Sequence, residues 1–401
     1  MSRAAALALM IVAMAITAAA MPPAAARQLV ARGFDHFYNL EYAVAIADFQ
    51  RLTQIEPGNA AAWNHLAQGY LYQEMYRVGA LASELYGQDN PILKVKLLPT
   101  DPAATSRFLD ANRRAVALAG AARKTRPRDA DAAYNLAVAW GLRGTFDFVL
   151  RKAYWSALRD ASKARRAALR AIALRPVWRE PELVIGVDDY IVGSLPWMVR
   201  MLAHLGGFSG DKAGGIARIH DVASHDGGAS TEGKILMAIV ERREGWNARA
   251  IPWLAQLEQR YPRNVLFAVE VGDAAEAAGQ HQAAIAEFRA ILARAAEHAP
   301  GYERAPLDRV WYDLGNIDRL YSRFGAAIAD YRRSESAPRA EARFRQAAAL
   351  AAGQLEDQLG HRSAALLDYR RCIAVDPGGP AARTAQRYLD HPYNGPGTGG
   401  A

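Results

Sequence analysis

The chain has 401 residues, 51% of them hydrophobic and 22% charged, a balance that excludes a disordered polyelectrolyte and fits a folded protein. Its formal net charge of +8 suits an anionic partner without requiring one. The single cysteine, Cys372, excludes an internal disulfide framework and any multi-thiolate zinc site.

The first residues have the pattern of an export signal. Arg3 supplies the positive start, Ala4 to Ile16 is an uncharged apolar run, and small residues follow. Two cleavage patterns are present, Ala18-Ala19-Ala20 and Ala24-Ala25-Ala26. The second is favoured because Pro22-Pro23 ends the apolar helix and Arg27 opens amphipathic sequence. Residues 1–26 are therefore expected to be a signal peptide, and the mature protein periplasmic or secreted. The alternative, an uncleaved anchor, meets the objection that the run is short for a membrane span.

From there a pattern recurs about every 34 residues. Gly33, Ala45, Phe49, Leu52 and Pro57 make a first unit; Trp63, Leu66, Ala67 and Tyr70 open a second. Its partner helix is delayed by two turn-rich stretches, Gly87 to Pro91 and Leu98 to Pro102, and is expected over Ser106 to Arg126. Leu136, Ala137 and Trp140 open a third, whose second helix carries Ala164, Ala168, Ala171 and Pro176 after a delay through Gly144 to Tyr154. Met237-Ala238, Ala250, Leu254, Leu257 and Pro262 resume the register, followed by Val271-Gly272, Ala284, Phe288 and Ile291. The clearest copy is Trp311-Tyr312-Asp313-Leu314-Gly315 with Ala327, Tyr331 and Pro338, and the next is Gly353, Ala365, Tyr369, Cys372 and Pro377. This pattern resembles the tetratricopeptide repeat. In that frame Gly315 and Ala327 mark the close crossing of two antiparallel helices, Trp311 and Tyr331 fill the space beside it, and Pro338 ends the second helix. Ala381 to Leu389 reads as a capping helix and residues 391–401 as a flexible tail. The expected fold is all-α, a right-handed superhelical solenoid of antiparallel helix pairs. Its regions are 27–129 with an insertion, 130–230 irregular with a Gly/Pro-rich hairpin, and 231–390 regular.

Residues 182–219 depart from the plain repeat. Tyr190, Ser194, Leu195, Pro196, Arg200, Gly207, Phe208, Ser209, Gly210 and Asp211 fall in the order of a motif of the tetratricopeptide repeat 39 / Iml2 outer-membrane-associated family. The resemblance implies a helical-repeat fold and association with a membrane or organelle surface, although those relatives are intracellular and this chain carries an export pattern. Physically, Pro196 separates two helices and the glycines permit a tight turn between them. The segment is either a bend in the array or a contact surface.

Candidates for chemistry are few. His220, Asp221 and His225 form the densest polar cluster, and Asp221 and His225 are spaced to share a helix face as an acid–imidazole pair. This gives the alternative of a metal-assisted enzyme, although His220 and His225 lack the i, i+4 spacing of a shared metal. Gly207 to Gly215 lacks the Gly-Lys-Ser/Thr ending of a phosphate loop, and Ser194 lacks a nucleophile elbow. Arg159, Lys163, Arg165, Arg166, Arg170 and Arg175 lie along one amphipathic helix. They read as a solvated face or a contact for acidic proteins or phospholipid head groups, nucleic acid being set aside because of the export pattern. The leading expectation is a non-enzymatic scaffold that needs no cofactor. It would bind a protein or peptide along the first helix of each repeat, through exposed Asn64, Gln68, Tyr72, Tyr134, Asn135, Arg309, Asn316 and Arg319.

Overall fold

The computed structural model describes residues 24–81, 98–194 and 210–395. The described residues form 17 helices and no strand. They are α1 (Ala24–Tyr38), α2 (Tyr42–Ile55), α3 (Ala60–Arg77), α4 (Pro102–Thr125), α5 (Ala130–Val149), α6 (Tyr154–Leu174), α7 (Glu180–Gly193), α8 (Lys212–Ser224), α9 (Ser230–Arg243) and α10 (Asn247–Arg260). Then follow α11 (Val265–Ala277), α12 (His281–Ala296), α13 (Leu307–Leu320), α14 (Phe324–Ser336), α15 (Ala342–Gln358), α16 (Arg362–Val375) and α17 (Pro380–Asp390).

The chain divides into two compact units, one ending at Asn264 and the other beginning at Val265. A boundary near 230 therefore falls inside the first unit. In each unit every helix packs against the next, and first helices of successive pairs also touch, α3 on α5 and α13 on α15. This is an all-α solenoid of helix pairs.

Short polar residues start several helices: Asn59 accepts from the amide of Ala61, Asp101 from Ala103, Asp129 from Ala132 and Asp211 from Gly214. Between the helices of a pair, the turn needs one residue with positive φ. Gly279 and Gly360 supply it at 74° and 78°, whereas Ser322 holds the same place in α13–α14 at 57°.

The repeat glycines do not simply let two backbones cross. A Cβ on Gly315 would lie 2.7 Å from the ring of Tyr331; one on Gly353, 2.6 Å from Tyr369; one on Gly33, 2.5 Å from Phe49. Gly272 faces Phe288 in the same way. The ring expected beside the crossing in fact lies on the glycine, so the missing Cβ is the socket for the aromatic. Phe49, Phe288, Tyr331 and Tyr369 are all fully buried. In α9–α10 the same two positions hold Ala238 and Leu254, a larger floor under a smaller side chain, and both are buried.

The α7–α8–α9 segment is built differently. A Cβ on Gly215 would meet the amide nitrogen of Tyr190 and the carbonyl oxygen of Gly186, the latter at 2.7 Å, and one on Gly233 would lie 2.8 Å from the amide nitrogen of Ala223. Glycine here brings backbone against backbone. The middle of the motif region, 195–209, lies outside the described residues, as does the export pattern of residues 1–23.

Candidate functional site

The first unit closes its beginning onto its end. Arg263 donates to Asp35 and Glu41 at 2.9 Å each, its amide donates to Asn39 at 3.0 Å, and Asn264 donates to the Tyr38 carbonyl at 2.7 Å. The Tyr38 hydroxyl donates to Glu232, and its ring packs 4.9 Å from that of Tyr261.

The residues expected to be exposed on the first helices of this unit lie inside it. Asn64, Gln68 and Tyr72 do share one face of α3, at i, i+4 and i+8, but the face is buried. Tyr134 and Asn135 on α5 are buried as well. The expectation of exposure is corrected for all five, because the first-helix face of this unit is its interior. Asn64 Nδ2 donates to the Asn135 carbonyl at 2.9 Å, and Asn135 Nδ2 donates to the Asp131 carbonyl. Tyr134 meets Trp178 edge-on at 4.6 Å. Burial, then Glu180 and Glu232, push its phenol above the usual range.

Gln68 is different. It is 0% exposed, and among the described residues neither its Oε1 nor its Nε2 has a hydrogen-bond partner. Asn64 Oδ1 and His65 Nδ1 are in the same condition. Burial among Phe34 and Phe49 pushes His65 down to about 3, so the ring is neutral. Leaving such an amide unpaired costs about 1–3 kcal/mol. Glu232, Tyr38 and Tyr261 belong to the same interior and were missed in the sequence, since they reach it only through contacts between distant segments.

In the second unit the expected residues brace neighbouring repeats. Arg309 pairs with Asp273 and reaches Asp313 at 3.7 Å, with little of its side chain exposed. Asn316 accepts from the Tyr331 hydroxyl at 2.9 Å. Arg319, half-buried, contacts Gln354 at 3.3 Å and Tyr393 at 3.5 Å. Tyr393 also donates its amide to Asp357 at 2.8 Å, so the start of the expected flexible tail is pinned to α15.

The His220, Asp221, His225 cluster does not assemble a reactive pair. His225 Nδ1 lies 3.5 Å from the Asp221 carboxylate but bonds to the Asp221 carbonyl at 2.8 Å, while the carboxylate pairs with Arg179. His220 packs its edge on Trp253. Among the described residues no three His, Cys, Asp or Glu side chains are grouped to hold a metal ion. The groove beside the cluster is lined by Trp178, Arg179, Glu182, Arg218 and Asp221, and its charges pair across it, Arg179 with Asp221 and Arg218 with Glu182. Ser194 Oγ donates to the Tyr190 carbonyl at 2.6 Å and so ends α7.

No protein-family model matches the chain, and no curated protein does; the resemblance of the motif region to the tetratricopeptide repeat 39 / Iml2 family thus has no family match beside it. Among solved structures, the chain is similar to the APC/C hetero-tetramer Cut9–Hcn1, at 13% identity and TM-score 0.46, over 90% of this chain and 55% of that one. It is also similar to the human IFIT1 dimer with m7Gppp-AAAA (15%, 0.40, 91% and 84%) and to yeast Tom70 (10%, 0.37, 91% and 95%). The chain thus spans about half the length of the Cut9–Hcn1 chain it matches. The class that fold and site define is a helical-repeat protein with a polar interior in its first unit.

Proposed function

We propose that this chain is an exported helical-repeat scaffold that holds an extended protein or peptide segment on the first-helix face of its first unit, at a membrane surface. The observation that carries the reading is the stripe Asn64, Gln68, Tyr72, with the Gln68 amide buried and, among the described residues, unpartnered at both atoms. A primary amide offers one donor and one acceptor side, the complement of a peptide group in an extended strand. Access requires the first repeat to open. The Arg263 pairs that close it are part-exposed, so each opposes opening by only about 0–1 kcal/mol.

The reading is tested by Gln68→Leu, which keeps the volume and removes the amide. Melting is expected at or above the wild-type temperature, because an unpaired buried amide has gone. Capture from envelope fractions is expected to lose a partner that wild type retains. A destabilised Gln68→Leu, or an unchanged set of captured proteins, would reject the stripe as the binding face.

A further inference from the structure

Residues 101–180 contain 17 Lys and Arg against 7 Asp and Glu, a surplus of ten positive charges in a chain whose net charge is +8. The rest of the molecule is slightly acidic, so the basic character belongs to α4, α5 and α6. On α6 the buried side is Ala157, Asp160, Ala164, Ala168 and Ala171. Asp160, the one acidic residue of this helix, lies there and pairs with Lys163 at 2.8 Å. The opposite side is a single exposed face. At 100° per residue, Trp155, Arg159, Arg166, Leu169 and Arg170 fall within about a third of the circumference.

The apolar members of that face are out of proportion to a solvated helix. Trp155 is 75% exposed and Leu169 46%; Val177, 87% exposed, follows in the turn after α6, at the groove that Trp178 and Asp221 also line. The exposed basic cluster Arg123, Lys124, Arg126 and Arg128 ends α4 beside it, since Arg170 donates to the Pro127 carbonyl at 3.2 Å. An indole at one end, aliphatic side chains further along and guanidinium groups between them match the layering of a bilayer interface. There apolar groups enter the acyl boundary and arginines pair with phosphates. A duplex nucleic acid would use the charges but leave Trp155, Leu169 and Val177 in water.

We infer that the outer face of α6, with the end of α4, docks onto a bilayer surface carrying anionic phospholipid. This deepens the membrane-surface part of the reading above and does not depend on the amide stripe of the interior. No helix among the described residues is long and apolar enough to cross a membrane, so the contact is peripheral.

Co-sedimentation of the full mature chain tests it, with vesicles of phosphatidylcholine alone and of phosphatidylcholine mixed with phosphatidylglycerol. Binding is expected only with phosphatidylglycerol and is expected to fall away toward molar salt. Arg166→Ala should weaken it about fivefold, Trp155→Ser should weaken it further, and Leu367→Ser, exposed in the second unit, should leave it unchanged. All three positions are solvent-facing, so circular dichroism should match wild type. Absence of vesicle binding, equal binding to both vesicle types, or undiminished binding by Trp155→Ser would overturn the inference, as would retention on duplex DNA without vesicle binding. Loss of vesicle binding with envelope-protein capture intact separates this surface from the interior stripe.

Discussion

The ring-packed pairs and the α7–α8–α9 segment both spend glycines on close packing, but they spend them against different neighbours. In α1–α2, α11–α12, α13–α14 and α15–α16 each glycine receives an aromatic ring, which can tilt or be exchanged. In α7–α8–α9, Gly215 and Gly233 face backbone atoms that have nowhere to go. A ring socket is therefore a negotiable contact, and the α9–α10 pair shows one natural alternative, Ala238 under Leu254. A backbone crossing admits no side chain at all.

The largest effect separates the two classes. Gly215→Ala should destabilise the first unit by roughly 3 kcal/mol or more, because the added carbon meets the Tyr190 amide directly. Gly315→Ala should cost about 1–2 kcal/mol, and the larger substitution Gly315→Leu about 3 kcal/mol. Adding Tyr331→Leu to Gly315→Ala should recover part of the loss, a coupling that a double-mutant cycle in urea would read out. Equal costs at Gly215 and Gly315, with no coupling, would abolish the distinction.

A titration sharpens the comparison next. His65 lies against Phe49, the ring seated on Gly33, and its pKa falls from an unfolded value of about 6.5 to about 3. Its neutrality thus contributes stability that is fully present above pH 6.5 and is lost as the pH falls toward 3, about 2 kcal/mol by pH 5. Urea melts across that window should show the loss in wild type and a flatter profile in His65→Leu. The smallest effect lies in the turns. Ser322→Gly, at φ 57°, should stabilise the second unit by about 0.5–1 kcal/mol, whereas Gly279→Ser and Gly360→Ser should destabilise it. Thermal melts that fail to show these opposite signs would mean the turn conformation is not limiting.

The small and aromatic positions of the repeat were legible because each reports a local demand. Gly315 and Tyr331 recur at one offset in four helix pairs, and a helix pair is built by contacts close in sequence. The partnership between them was misassigned, since spacing fixes which residues meet but not that the ring covers the glycine. The burial of Asn64, Gln68, Tyr72, Tyr134 and Asn135 was not legible for another reason. Asn64 meets Asn135, Tyr134 meets Trp178 and Tyr72 meets Phe37, pairings between separate helices or turns that no local periodicity encodes. Arg309 and Arg319 looked like interface anchors because their residue type is common there; Asp273 and Gln354, from neighbouring helices, and Tyr393, from the segment after α17, occupy them.

Ala26 is fully buried against Leu52 and Ala62. Cleavage of the proposed export signal after Ala26 would remove that contact, whereas cleavage after Ala20 would keep it, and N-terminal sequencing of protein recovered from the envelope distinguishes the two.

The bond from Arg263 to Asn39 spans 224 positions of sequence. Nearly all other packing in this unit joins helices that follow one another, so it can form as the chain is made, but the closing contacts wait for residue 264. By chain order they are the last contacts of the unit that can form, and the opening required by the proposed binding would reverse that step.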